Sequence, residues 1–170
     1  MNAPAVPDGG SGDFDRFLLL VGRLNYAWTN TESLLIHFIA GLARTDTETA
    51  TVIFLTLNTS RARLDMVQRL AKLSRVGRDE RQAVLEVTDR IQKVARVRNR
   101  YNHCIYAFDA NAEVSHTILM RIADRKDAIK MGQSERVDDA ARGGIDRAIA
   151  DLEDINRDVW TLLRAHGYPV

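Results

Sequence analysis

Arg98, Asn99 and His103 fall within one run, Arg98-Asn99-Arg100-Tyr101-Asn102-His103, and their side chains together suit phosphate chemistry. A guanidinium keeps its charge at physiological pH and can hold phosphate oxygens bidentately. An imidazole, with an unperturbed pKa of about 6.5, can take a proton and return it near neutrality. An amide can fix the imidazole tautomer or bind a phosphate oxygen. Cutting an RNA phosphodiester without a metal asks for a base for the 2′-hydroxyl, stabilisation of the charged phosphorane and an acid for the leaving oxygen. On an ideal helix Asn99 and His103 stand one turn apart, roughly 40° offset, with Arg98 roughly 140° from His103. Arginine is long enough to reach a shared cleft from there. One histidine does not readily act as base and acid in a single step. Two motifs facing each other in a homodimer would solve that.

The motif closes a helical segment that begins around Asp79, where Val84, Val87, Ile91 and Val94 recur at spacings of three and four. The next step of four lands on Arg98, so the core-facing stripe passes from aliphatics to an arginine, which must find a partner or line a cleft. A fraying helix end puts His103 on a rim. Past it, Cys104–Phe108, Val114–Ile122 and Asp127–Met131 are rich in β-branched or aromatic residues. Asp109–Ala112 and Asp124–Lys126 read as the turns of a small antiparallel meander.

Three more helical segments surround this one. The first spans about Asp13 to Ala43 and carries two apolar stripes. Phe17, Leu20, Leu24, Ala27, Thr31, Leu34, Phe38 and Leu42 form one; Leu18, Val21, Trp28, Leu35 and Ile39 form the other. That double coverage fits either a central helix with two neighbours or a helix that meets a partner chain. Thr45-Asp46-Thr47-Glu48 reads as a capping box opening a short helix to Leu57. Helix resumes from Arg61 to Ser74, with Leu64, Val67, Leu70 and Leu73 inward, and Gly77 closes it. The last helix runs from about Arg136 to Ala165, with Ile145, Ala148, Leu152, Ile155, Val159 and Leu162 on its inner face. The expected fold is mainly α, an antiparallel four-helix bundle with the β-meander inserted between its third and fourth helices.

At 170 residues, 45% apolar and 28% charged, the chain reads as one ordinary globular domain over residues 13–170 behind a flexible leader, residues 1–12. The leader has no basic or apolar signal-peptide region, and no apolar run approaches the roughly 18 residues of a membrane span. One cysteine, Cys104, cannot form an internal disulfide. A cytoplasmic protein with no membrane partner is expected.

Net charge is only +1, but Arg61–Arg100 holds twelve Lys/Arg against five acids, a local net of +7. Lys93, Arg96 and Arg100 beside the motif suit capture of a polyanion such as RNA. They equally suit a basic face salt-bridged to the last helix, where Asp138, Asp139, Asp146, Asp151, Glu153, Asp154 and Asp158 stand. His37 lacks metal-pair spacing from Glu32, Cys104 reads as a packed thiol, and there is no phosphate loop, zinc spacing or nucleophile elbow. No cofactor and no metal are expected.

The R-N-x-x-x-H run resembles the signature of the HEPN superfamily (higher eukaryotes and prokaryotes nucleotide-binding), many of whose members are ribonucleases. That resemblance implies a helical bundle whose composite cleft lies at a homodimer interface, with Arg98, Asn99 and His103 at the arginine, polar and histidine positions. It also implies a toxin or defence component with an antitoxin or regulator as partner. HEPN toxins paired with a nucleotidyltransferase often carry a tyrosine two residues past the histidine; here that residue is Ile105 and the tyrosine is Tyr106. The expected activity is a metal-independent endoribonuclease in which His103 transfers protons, Arg98 stabilises phosphate and Asn99 orients. The alternative is a noncatalytic dimeric helical module that binds RNA, a nucleotide or a protein.

Overall fold

Six helices and a three-stranded sheet are formed by the described residues of the computed structural model, which are 12–108 and 114–170, with side chains except at 114, 115, 121–125, 130 and 131. In order these are α1 (Gly12–Ser33), α2 (Leu35–Ala43), α3 (Thr47–Thr56), α4 (Ser60–Ala71), α5 (Arg78–Asn102), β1 (Cys104–Phe108), β2 (Val114–Arg125), β3 (Ala128–Arg136) and α6 (Asp139–Ala165). The protein is thus mainly helical, with a small antiparallel sheet between α5 and α6. The expected leader lies outside the described residues except for Gly12, which opens α1; the expected turn at Asp109–Ala112 lies outside them too.

Two compact units divide the chain. One holds the described residues up to Asn25 together with those of Val97–Ala148; the other holds Tyr26–Arg96 and Ile149–Val170.

The first unit contains the sheet, ordered β1-β2-β3 with both pairings antiparallel. Cys104 pairs with Leu119 and Ile105 with Ile118, and the β2–β3 register shifts between Leu119 and Ile122. The hairpin turn falls on Lys126-Asp127, later than the sequence suggests, because Arg125 pairs with Ala128 and closes a two-residue connection. β3 then continues to Arg136, well past the expected end at Met131. Its polar second half is held by ladder pairing to His116–Leu119, which overrides weak strand propensity. That extension delays α6 to Asp139, where Asp138 Oδ1 accepts from the Ala141 amide at 2.9 Å as N-cap.

An aromatic cluster ties the sheet to α1 and the end of α5. Phe17 meets Tyr101 and Tyr106 edge-on at 5.9 and 5.7 Å, and Phe14 meets Phe108 at 5.0 Å. Edge-to-face pairs of this kind add about 0.5–1.5 kcal/mol beyond area burial. Arg142 of α6 grips Asp13 of α1 bidentately at 2.7 and 2.6 Å. The bond from Arg142 is the main reason the Asp13 carboxyl titrates below the usual aspartate value.

In the second unit the expected long first helix tightens at Leu34 and divides into α1 and α2. Leu34 keeps helical angles (φ −65°, ψ −16°), and the Leu34 and His37 amides bond three residues back instead of four. Both apolar stripes of this stretch are buried by the chain's own residues, apart from Leu18 and the half-buried Leu20 and Ala27. Asp46, rather than Thr45, caps α3 by accepting from the Thr49 amide at 2.7 Å. Thr59 caps α4. On α4 Leu64, Val67 and Ala71 are buried, whereas Leu70 and Leu73 sit at the core's margin. The α6 stripe ends on Leu163 instead of Leu162, whose side chain is only half-buried.

Candidate functional site

Val84, Val87, Ile91 and Val94 are all buried along α5, and the next residue on that face, Arg98, is half-buried. The helix ends at Asn102. Tyr101 anchors that end: its ring is buried against Phe17, and its carbonyl accepts from the Tyr106 hydroxyl at 3.1 Å and the Cys104 thiol at 3.4 Å. Next comes His103, whose carbonyl accepts from the Met120 amide at 3.0 Å, so the sheet fixes the backbone of the motif's last residue.

Three asparagines surround the Arg98 guanidinium. Its Nε donates to Asn25 Oδ1 at 3.2 Å, and its Nη1 donates to Asn99 Oδ1 at 3.1 Å. Asn102 can stand in either amide sense. In one it exchanges bonds with Asn25 at 2.8 and 2.9 Å. In the other its oxygen accepts from Arg98 Nε and Nη2 at 2.9 and 3.0 Å while its nitrogen donates to Asn25 Oδ1 at 3.0 Å. The second sense turns an acceptor toward the cation, but it also sets the Asn102 oxygen 2.8 Å from Asn25 Oδ1, so it fits only if the Asn25 amide turns over with it. Asn25 in turn donates through Nδ2 to the Val21 carbonyl of its own helix at 3.0 Å.

His103 stands differently. Its side chain is exposed, and the ring makes no hydrogen bond among the described residues. The Asn99 oxygen serves Arg98, and no bond from Asn99 to the imidazole is made among the described residues. Arg100 forms a surface ion pair with Glu135 of β3, Nη1 to Oε2 at 2.6 Å. Such pairs contribute about 0–1 kcal/mol, so a polyanion can compete for this arginine. Lys93 and Arg96 are exposed on α5 and belong to the other unit. In that unit Arg90 pairs with Asp158 of α6 at 2.5 Å, one instance of the acidic helix answering the basic stretch.

Burial pushes the Cys104 thiol upward, which keeps it protonated and unreactive at neutral pH. His37 donates to the Pro169 carbonyl at 2.8 Å and packs on Trp160, a structural placement. Among the described residues no group of three or more His, Cys, Asp or Glu side chains is placed to hold a metal ion, and no helix is long and apolar enough to cross a membrane.

Asn25 was invisible to sequence reasoning. It is a lone polar residue 73 positions before Arg98, and nothing in its spacing announces a partner. Asn102 stood in plain view inside the motif, yet its bond to Asn25 is a tertiary fact.

Compared with known proteins, the chain matches no family model, no curated protein and no solved structure. The likeness to HEPN proteins therefore rests on the hexapeptide and the helical pattern alone.

Proposed function

We propose that the protein is a metal-independent endoribonuclease of the HEPN type, with its site completed in a homodimer. The observation that carries this reading is the end of α5: a half-buried guanidinium held by amides, followed by an exposed imidazole on a backbone fixed by the sheet. Under the same reading the helices form an antiparallel four-helix bundle, α1 continuing into α2 and α3 into α4. Arg98 holds the phosphate. His103 of one copy takes the 2′-hydroxyl proton as the 2′-oxygen bonds to phosphorus. His103 of the other copy gives a proton to the departing 5′-oxygen as its bond to phosphorus breaks. The products are a 2′,3′-cyclic phosphate and a free 5′-hydroxyl. Lys93, Arg96 and Arg100 supply attraction for RNA.

The test is cleavage of RNA by purified protein in excess EDTA, with end analysis. Cyclic phosphate ends, intact DNA and resistance of a 2′-deoxy substitution at the cut site are expected. His103→Ala should lower the rate about 10²–10⁴-fold, the usual scale for a general acid or base. Specific activity should rise with protein concentration as dimer forms. RNA binding without cleavage by the wild type would favour the noncatalytic module, and full activity in a strictly monomeric protein would sink the composite site.

A further inference from the structure

We infer that Asn25, carried by α1 and not by the motif, is a positioning residue that sets the pose of the Arg98 guanidinium toward a phosphodiester. The inference rests on the nuclease reading and adds to it a residue that no motif predicts.

The argument is one of committed donors and acceptors. The Asn25 amide nitrogen donates to the Val21 carbonyl at 3.0 Å, one turn back on its own helix. Turning the amide over would set its oxygen against the Val21 carbonyl oxygen, so its oxygen stays aimed at Arg98 Nε, 3.2 Å away. With Asn25 in that sense, the same oxygen also accepts from Asn102 Nδ2 at 2.8 Å. Asn99 takes Nη1. A long side chain that would otherwise sample many rotamers is thereby ordered before any substrate arrives.

The chemistry of the clamp also matters. A carboxylate at position 25 would hold the guanidinium more tightly, but it would offset the positive charge that a phosphate needs. An amide orients the group and leaves its charge undiminished. Misplacing a catalytic group by about 1 Å can cost roughly 10²-fold in rate. Asn25 should therefore act on kcat far more than on folding.

The experiment compares full-length wild type, Asn25→Ala and Asn25→Asp in three measurements: steady-state RNA cleavage in EDTA, thermal melting, and the side-chain Nε–H resonance of Arg98, assigned with Arg98→Lys. Asn25→Ala is expected to lower kcat by about 10–10²-fold with KM little changed. Melting should move by only a few degrees (roughly 2–4 °C per kcal/mol at this size), while the Arg98 resonance loses its protection from exchange. Asn25→Asp should keep that resonance protected yet lose activity at neutral pH. Relative to wild type it should regain activity as the introduced carboxylate protonates in acid, a pH dependence that a merely structural residue would not produce. Should Asn25→Ala fail to fold, Asn25→Asp decides by that profile. Unchanged kcat together with an unchanged resonance in Asn25→Ala overturns the inference, as does an Asn25→Asp protein as active as wild type at every pH. A wild-type protein whose Arg98 resonance is protected but which cuts no RNA overturns the nuclease reading instead. The resonance in Asn25→Ala then decides alone whether Asn25 positions Arg98.

Discussion

Arg98→Ala separates an arginine that serves a site from one that serves the fold, and the geometry sets the expected size of both effects. Removing the guanidinium takes away, among its interactions, the bonds to Asn25 and Asn99. The amides left behind are not stranded. Asn25 still donates to the Val21 carbonyl, and Asn25 and Asn102 still bond each other at 2.8–2.9 Å. Asn99 is exposed and turns to water. These two bonds contribute about 1–2 kcal/mol of net stability. For a chain of this size that is a melting decrease of roughly 2–8 °C. The rate effect is larger: removing one donor to a developing phosphate charge costs about 10²–10³-fold, equivalent to about 2.7–4 kcal/mol. Single-turnover cleavage well below the melting temperature, alongside melting by circular dichroism, measures both. A variant unfolded at the assay temperature would make Arg98 a structural residue. A folded variant cutting at the wild-type rate would remove it from the site. Either result refutes the argument.

Arg63→Ala should destabilise the second unit strongly, because Glu32 is buried and Arg63 is its ion-pair partner at 3.3 Å. Breaking such a pair from one side costs about 3–5 kcal/mol. Chemical denaturation showing less than about 1 kcal/mol would mean that water reaches the Glu32 carboxylate. Asp13→Asn tests the Arg142 clamp through pH. Because the folded Asp13 titrates below its ordinary value of 3.8, the wild type's advantage is complete above that value and fades as pH falls through the lower folded one. Both side chains are partly exposed, so the advantage at neutrality is only about 0.5–1 kcal/mol. A difference in melting temperature that persists unchanged into strong acid would show that the pair contributes nothing.

The elements nearest the candidate site were legible because they rest on period alone. Four valines and isoleucines of α5 step at three and four residues, and the structure buries all four. β1 begins and ends where its β-branched and aromatic run does. Legibility failed wherever a tertiary partner decided. β3 outruns its apolar core because pairing to β2 holds its polar half. Leu163 replaces Leu162 inside because a 3.6-residue period allows either step after Val159, and the last turn is set by the Tyr168 amide bonding the Leu163 carbonyl at 2.9 Å. Likewise the sequence left Arg100 between a polyanion and the acids of the last helix, and the β3 register brings Glu135 to it instead. Within the site the motif named Arg98, Asn99 and His103, but the residue that fixes the sense of the clamp, Asn25, sits on another helix.

Arg98 and His103 differ in how far a single chain prepares them. The guanidinium is ordered by amides from two helices, so the electrostatic half of a phosphate site is built before substrate binds. The imidazole has a fixed backbone but, among the described residues, no hydrogen-bond partner to choose its tautomer or hold its ring. Proton transfer demands that choice, since a base and an acid must each present the right nitrogen within bonding reach of a reacting oxygen. Asn99 Oδ1 accepts from Arg98, and Asn99 makes no bond to the ring among the described residues. On the nuclease reading, what the described residues of a single chain leave to be supplied is therefore a second imidazole and a group that orients the first. A facing copy of the same motif brings an imidazole, an arginine and an amide together, and substrate phosphate can bond the ring directly. On that reading the proton-transfer contribution of about 10²–10⁴ would belong to the assembled site, and the Arg98 contribution to each protomer.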